Sequence, residues 1–398
     1  MSEQIINNGN VAFMVLTTTL VFIMIPALAF FYGGLVPRKS RLTMMIYTFL
    51  SIGIVTILWY LVGFSLVFGD DTFGIIGYPT QYMLLSGVDL SINPNYGGSI
   101  PFLMFCMYQL MFAIITAPLM TGAIAERITI TGWIKVQIMW MLLIYCPVAH
   151  WVWGGGFLSQ MGFVDYAGGT VIHVTAGFAA LVGAIYFGKR AYPTSAGNEN
   201  INLVLIGTAL LMMGWFGFNS GGALVGGKVA AIAFANTALA SAVAMSVWVA
   251  IVYIRTRRFS FIQLATGAIA GLATITPCSG YVTPQYAILI GAAGAIICYL
   301  SLMAIEKLKI DDALGVCGVH GMGGLSGTIL LGILASKEIG GIAGSLTQLF
   351  TQTVGVLIVL AYTLIVTYLI FKVANLTGSI HVPAKIQKSG LDSAYISN

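Results

Sequence analysis

The chain has 398 residues, of which 59% are hydrophobic and only 7% charged. Soluble proteins carry about 25% charged residues, so a water-soluble enzyme is excluded, and a disordered chain would be polar and highly charged. What remains is an integral membrane protein made mostly of spans and folded as one unit.

The segment 1–10 has no basic residue and no cleavage site, so it does not read as a signal peptide and the first apolar run stays as a span. A helix needs about 20 mainly apolar residues to cross a bilayer. Such runs lie near 11–35, 42–69, 100–124, 132–156 and 169–188. Six more lie near 202–221, 229–254, 260–276, 285–305, 313–335 and 343–372. The runs are continuous rather than alternating at period two, which argues for helices over a barrel. The expectation is an all-α integral membrane protein with eleven transmembrane helices, the last long enough to need tilt. Residues 1–372 form the membrane domain, and 373–398 form a short cytoplasmic tail.

The basic residues give the orientation. Taking loops and flanking span ends alternately, fifteen of the 17 Lys and Arg, from Arg38 to Lys388, fall on one side. Only Lys228 and Lys337 fall on the other. Basic residues concentrate on the cytoplasmic side, so the N-terminus is expected outside and the C-terminus inside. The long outer loop, about 70–99, carries Asp70, Asp71 and Asp89 and no Lys or Arg. Cys106, Cys146, Cys278, Cys298 and Cys317 are odd in number and lack metal-ligand spacing. They suggest neither a disulfide framework nor a zinc site. No metal, cofactor or nucleic-acid partner is expected.

Ionisable residues inside spans are costly, and each is a functional hypothesis. His150, late in the fourth span, reads as a satisfied structural histidine, and His381 as a solvated tail residue. His173 and His320 form a pattern. Asp165 precedes His173 by eight residues, Asp312 precedes His320 by eight, and the two pairs are 147 residues apart. One histidine is in span five and the other in span ten. A repeat of five spans must invert in the membrane, which gives halves of about 11–188 and 202–335 with a site between them near the midplane. The alternatives are a His bracing its own helix, or a metal or haem site. The 48 glycines suit close helix packing and form no phosphate-binding loop.

These residues resemble the ammonium transporter (Amt/Mep/Rh) family over about 11–376. The resemblance rests on Asp165 to His173 with Thr175-Ala176-Gly177, and on Asp311-Asp312 through Val319-His320-Gly321. It extends to Trp153-Gly154-Gly155-Gly156, Gly122-Ala123-Ile124-Ala125-Glu126-Arg127 and Trp215-Phe216-Gly217-Phe218-Asn219. The resemblance implies ammonium recruitment at the outer face beside Trp153, with Asp165 ordering that site and Tyr108 next to it. It implies that Phe112 and Phe218 close the pore below, and that His173 and His320 line it. One departure stands out: the serine expected at the recruitment site is Gly222. A lost hydrogen bond to a cation is worth about 1.5–3 kcal/mol, so weaker recruitment is implied.

The resemblance also implies a homotrimer in the plasma membrane. Its short tail, Gly390 to Tyr395, resembles a regulatory tail to which a PII-type signal protein docks. The implied activity is transport, not enzymatic catalysis. Ammonium would lose its proton and ammonia would cross, with the proton returned outside or carried separately through the histidines. The runner-up is an ammonium sensor that signals through the tail. A water or urea channel ranks lower, and no Asn-Pro-Ala pair occurs.

Overall fold

The computed structural model describes residues 5–192 and 199–397; the first four residues of the segment 1–10 lie outside them. A bilayer offers backbone groups no partners, so each apolar run closes its own hydrogen bonds as a helix. Among the described residues, ten helices are long and apolar enough to cross a membrane. They are α1 (Asn8–Leu35), α2 (Arg38–Phe68), α3 (Phe102–Gly122), α4 (Ile130–Gln160) and α5 (Gly169–Phe187), then α6 (Ile201–Ala223) and α7 (Lys228–Thr256). After the shorter apolar α8 (Phe261–Ile275) come α9 (Pro284–Lys307), α10 (Cys317–Leu334) and α11 (Leu346–Leu376). At 1.5 Å per residue the 15-residue α8 spans about 22 Å, less than the roughly 30 Å of a bilayer core. A buried turn, Thr276–Gly280, continues it.

Caps set several starts. Asn7, Asn200, Ser260, Thr283 and Ser345 each accept from the backbone N–H three residues on. Such caps satisfy N–H groups that the helix itself cannot. Small residues then set the packing. A Cβ on Gly207 of α6 would lie 2.4 Å from the Phe31 nitrogen of α1, so only glycine lets these helices touch. Gly271 of α8 and Gly291 of α9 meet the Ala240 carbonyl of α7 in the same way, each at 2.5 Å.

Outside the helices, β1 (Asp71–Thr72) and β2 (Ile76–Gly77) pair as an antiparallel hairpin after α2. The tail is docked rather than frayed. The Asp392 carboxylate accepts from the Leu42 and Thr43 nitrogens and the Thr43 hydroxyl at 2.8–3.0 Å. These N–H groups lie in the first turn of the α-helical part of α2, which begins at Arg41, and carry the positive end of its dipole, which attracts an acidic side chain. The Ile380 carbonyl accepts from Thr129 N, and Val382 N donates to the Arg127 carbonyl. His381 was expected to be solvated, but it packs on Tyr186 and Phe187, with ring centroids 5.5 and 4.7 Å away. The strand-like pairing of 380–382 with the loop after α3 brings it there.

Candidate functional site

Three cavities follow one another through the molecule. The one on the side of the 70–99 loop, called outer for the side on which that loop is expected, is about 350 Å³ and is lined by Phe68, Tyr108, Phe112, Trp153, Asp165 and Gly222, among others. Trp153 ends a helical turn of α4, and its indole Nε1 donates to the Asp165 carbonyl at 2.8 Å. That bond fixes the ring edge and leaves a π face to line the cavity. The Asp165 side chain is itself committed. Oδ1 accepts from Gly168 and Gly169 N, and Oδ2 from Thr170 and Val171 N, at 2.7–3.1 Å. Burial pushes this carboxyl up, and the four donors work against that push. Asp165 therefore organises the start of α5 rather than reaching into the cavity.

Below, Phe112 of α3 and Phe218 of α6 meet with ring centroids 4.6 Å apart. Both are buried. Tyr108 lies one turn before Phe112, its ring edge-on at 4.8 Å, and its hydroxyl donates to the Phe218 carbonyl. Tyr108 thus braces the pair and lines the cavity with its ring. Gly222 places no hydroxyl in the wall. A Cβ there would lie 3.0 Å from the Tyr166 ring.

Under the phenyl pair is a neck of about 20 Å³, lined by apolar side chains together with His173, Trp215 and His320. That volume holds about one water-sized molecule. The two histidines meet through their Nδ1 atoms, 3.3 Å apart. One Nδ1 must donate and the other accept, so the two neutral rings carry opposite tautomers. Close helix approach makes this meeting possible. Both histidines lie in π-helical turns, Gly169–Val174 and Cys317–Gly321. Each is followed four residues later by a glycine. A Cβ on Gly177 would lie 2.2 Å from the Gly321 nitrogen, and one on Gly324 would lie 2.3 Å from the Gly169 carbonyl. The two helices touch backbone to backbone on either side of the pair.

The inner cavity, about 700 Å³, begins at His320 and widens past Lys189, Arg190, Asp311 and Asp312. Asp312 accepts from Val316 and Cys317 N at 3.0 and 2.8 Å, as Asp165 does at the other end. Asp311 bonds Arg190 through two guanidinium nitrogens at 2.9–3.0 Å. Burial pushes the Asp311 carboxyl up, but the Arg190 bonds outweigh it and hold the group below the usual carboxylate range. Arg127 donates to the carbonyls of Gly188, Ala123 and Asp311, stitching this rim together.

Sequence reasoning placed seven residues on this path and missed others. Trp215 stacks on His173 at 5.3 Å and lies near-parallel to His320 at 6.4 Å. It was visible within a motif, but nothing in its spacing gave it a place in the neck. Asn95, Gln109 and Tyr166 also line the outer cavity. Gln109 is adjacent to Tyr108, and a polar residue in an apolar span was the available signal.

The chain is similar to known proteins over nearly its whole length. The family model described as Ammonium Transporter Family matches residues 12–398. The chain is 42% identical to "Ammonium transporter Amt1" of Archaeoglobus fulgidus, covering 97% of each. It is 39% identical to an "Ammonium transporter" of Aquifex aeolicus, covering 99% of this chain and 93% of that one. Among solved structures, Mep2 of Saccharomyces cerevisiae superposes with a TM-score of 0.88 at 31% identity, covering 96% of this chain and 88% of that one. A "Sensor Amt Protein" superposes with a TM-score of 0.90 at 30% identity, covering 98% of each.

Proposed function

This chain belongs to the ammonium transporter family, and from that premise we propose that it moves ammonium nitrogen through the three cavities in series. Ammonium enters the outer cavity and lies against the π face of Trp153, where the ring quadrupole attracts a cation. The negative charge of Asp165 lies behind it and supplies favourable potential. A bare cation pays a large desolvation penalty in an apolar neck, whereas neutral ammonia pays far less. The ion therefore gives up its proton above Phe112 and Phe218, either back to the outer solution or onto the separate route through the histidines. Ammonia slips between the phenyl rings, passes His173 and His320, and is reprotonated in the inner cavity.

The observation that carries this reading is the histidine pair in a neck one small molecule wide. Two imidazoles joined Nδ1 to Nδ1 offer polar contacts to ammonia in an otherwise apolar passage. They also offer a route by which a proton can follow separately, which would make transport electrogenic. The sensor reading is not favoured, because the relatives at 39–42% identity are named ammonium transporters.

In this reading the chain crosses the bilayer eleven times, as two inverted halves and a long last helix. The tail supports that count. Asp392 binds the start of α2, so the chain between them makes an even number of crossings. The helices α2 to α11 supply an even number only if the short α8 also crosses. The concentration of basic residues then puts the N-terminus outside and the tail in the cytoplasm. We place the protein in the plasma membrane as a homotrimer, with a PII-type protein as regulator at the cytoplasmic face.

The test is the current on a solid-supported membrane carrying liposomes with the full-length protein, after an ammonium jump. A current that saturates with ammonium and is lost in His173→Ala and His320→Ala supports electrogenic transport. If the current and the internal-pH response of both variants match wild type, the proposal fails.

A further inference from the structure

One buried titratable group beside the outer cavity has no part in this pathway. His150 sits on α4 one turn before Trp153 and is fully buried. Its Nδ1 lies 2.7 Å from the Val67 carbonyl oxygen, and its Nε2 lies 2.9 Å from Asp71 Oδ1. A carbonyl oxygen only accepts, and so does an ionised carboxylate. A neutral imidazole donates from one nitrogen and would turn a lone pair toward an acceptor at the other. An imidazolium satisfies both contacts. Asp71 suits the anionic role. Its Oδ2 accepts from Gly74 N at 2.9 Å, and the side chain is 30% exposed at the outer face. The hydrogen bond from His150 is the first reason its carboxyl lies below the ordinary value.

The two acceptors belong to different walls of the outer cavity. Val67 precedes Phe68, a lining residue, and α4 carries Val152 and Trp153 on the other side. A Cβ on Gly154 would lie 1.9 Å from the Val67 oxygen, so the end of α2 and the end of this α4 segment are pressed together. Asp71 begins the β1–β2 hairpin. That hairpin is tied to α4 by Trp151 Nε1 donating to the Ile75 carbonyl and Phe157 N to the Gly74 carbonyl. Few other titratable groups face this site. The last turn of α2, β2 and the turn Phe157–Gln160 bring none, the π-turn Met141–Tyr145 brings Tyr145, and the start of α5 brings His173. Asp70 adjoins Asp71, and Asp165 meets Trp153 through its backbone.

We infer that His150 is a protonated positioning residue, whose proton clamps Val67 to Asp71 and holds Phe68 and Trp153 at the spacing that binds ammonium. Loss of that proton to the outer solution through Asp71 turns one clamp contact repulsive and loosens the cavity. This inference rests on the transport reading, and it adds an alkaline limb to recruitment.

D71N separates the proton from the clamp. An amide at this position can donate an N–H to Nε2, so a neutral ring with its hydrogen on Nδ1 satisfies both contacts. Full-length protein in liposomes would be assayed at constant ammonium-ion concentration with external pH from about 6 to about 9. The wild-type KM is expected to rise roughly five-fold toward alkaline pH, about the worth of one hydrogen bond, while that of D71N stays flat. Nitrogen-15 NMR of histidine-labelled protein near pH 7 reads the same point directly. The resonances lost in H150Q should show both ring nitrogens protonated. A neutral-ring signature at His150, or a wild-type pH profile that coincides with that of D71N, overturns the inference. A wild type without current or ammonia flux defeats the transport reading instead. Calorimetric ammonium binding over the same pH range and the NMR measurement would then still decide the role of His150.

Discussion

The two aspartate–histidine segments use one local device in two different settings. Asp165 and Asp312 each collect backbone N–H groups at the start of a π-turn that carries a histidine. At the outer end the carboxylate takes four N–H groups and lies buried at the edge of the smaller outer cavity. At the inner end it takes two at 2.8–3.0 Å and borders a wide cavity with an arginine-bound aspartate beside it. The upper histidine is packed against Trp215 and Phe218, and the lower one opens toward the inner cavity. The difference teaches that the same local unit fixes both histidines, while the surroundings set how wide the cavity beside each one is.

The largest expected effect comes from the histidines themselves. H173A and H320A should each lower the ammonium-driven current by more than about ten-fold, because either removes one partner of the Nδ1 contact. If only H173A does so, the pair does not act as a unit. Next come the aspartates. D165N replaces two of four acceptor contacts with a donor facing donors, and should cost about 3 kcal/mol in thermal unfolding. D312N should cost about 1.5 kcal/mol, since its amide nitrogen faces only one backbone donor, where that of D165N faces two. Equal losses would break the contrast between the two ends.

The glycines sharpen it further. G177A and G324A would each force a methyl into backbone of the other helix, at a cost of about 1–3 kcal/mol. Both should widen the histidine contact and lower the current together. A smaller effect is expected at the outer wall. G222S adds a hydroxyl near Trp153 and should lower the ammonium KM by about ten-fold. The tight 3.0 Å approach to Tyr166 limits the gain.

The smallest effect is on pH stability at the hairpin. The Asp71 value is lowered in the fold, so its contribution is present above the unfolded carboxylate value and is lost only as pH falls through the lowered one. Amide exchange at Gly74 and Ile75 should stay slow in mildly acid solution where a free aspartate is already protonated, and in D71N, whose amide oxygen still accepts from Gly74 N, the protection should no longer depend on pH.

Much of this architecture was legible in the chain. Long apolar runs need no tertiary information, and the repeated Asp-to-His spacing placed both histidines in matched spans. The family resemblance supplied Phe112, Phe218 and Trp153, whose ring types alone say nothing among 22 phenylalanines and seven tryptophans. Other features depended on contacts far apart in sequence. His150 meets Asp71 across 79 residues, and Asp392 meets Leu42 across 350. Neither leaves a local periodicity to read. The short α8 coincides with the apolar run near 260–276, and the buried turn that continues it, Thr276–Gly280, is too polar to be read as part of a span.

The narrow neck has a consequence for the cell as well as for the substrate. A membrane stores work as separated charge, and each bare ion that leaks through discharges it. A passage of about 20 Å³ closed above by two phenyl rings leaves no room for a hydrated ion or a continuous column of water. Under the proposed mechanism, a bilayer with many copies would lose only the charge that accompanies the nitrogen it takes up. Nitrogen would then enter one molecule at a time, with its charge tied to that passage.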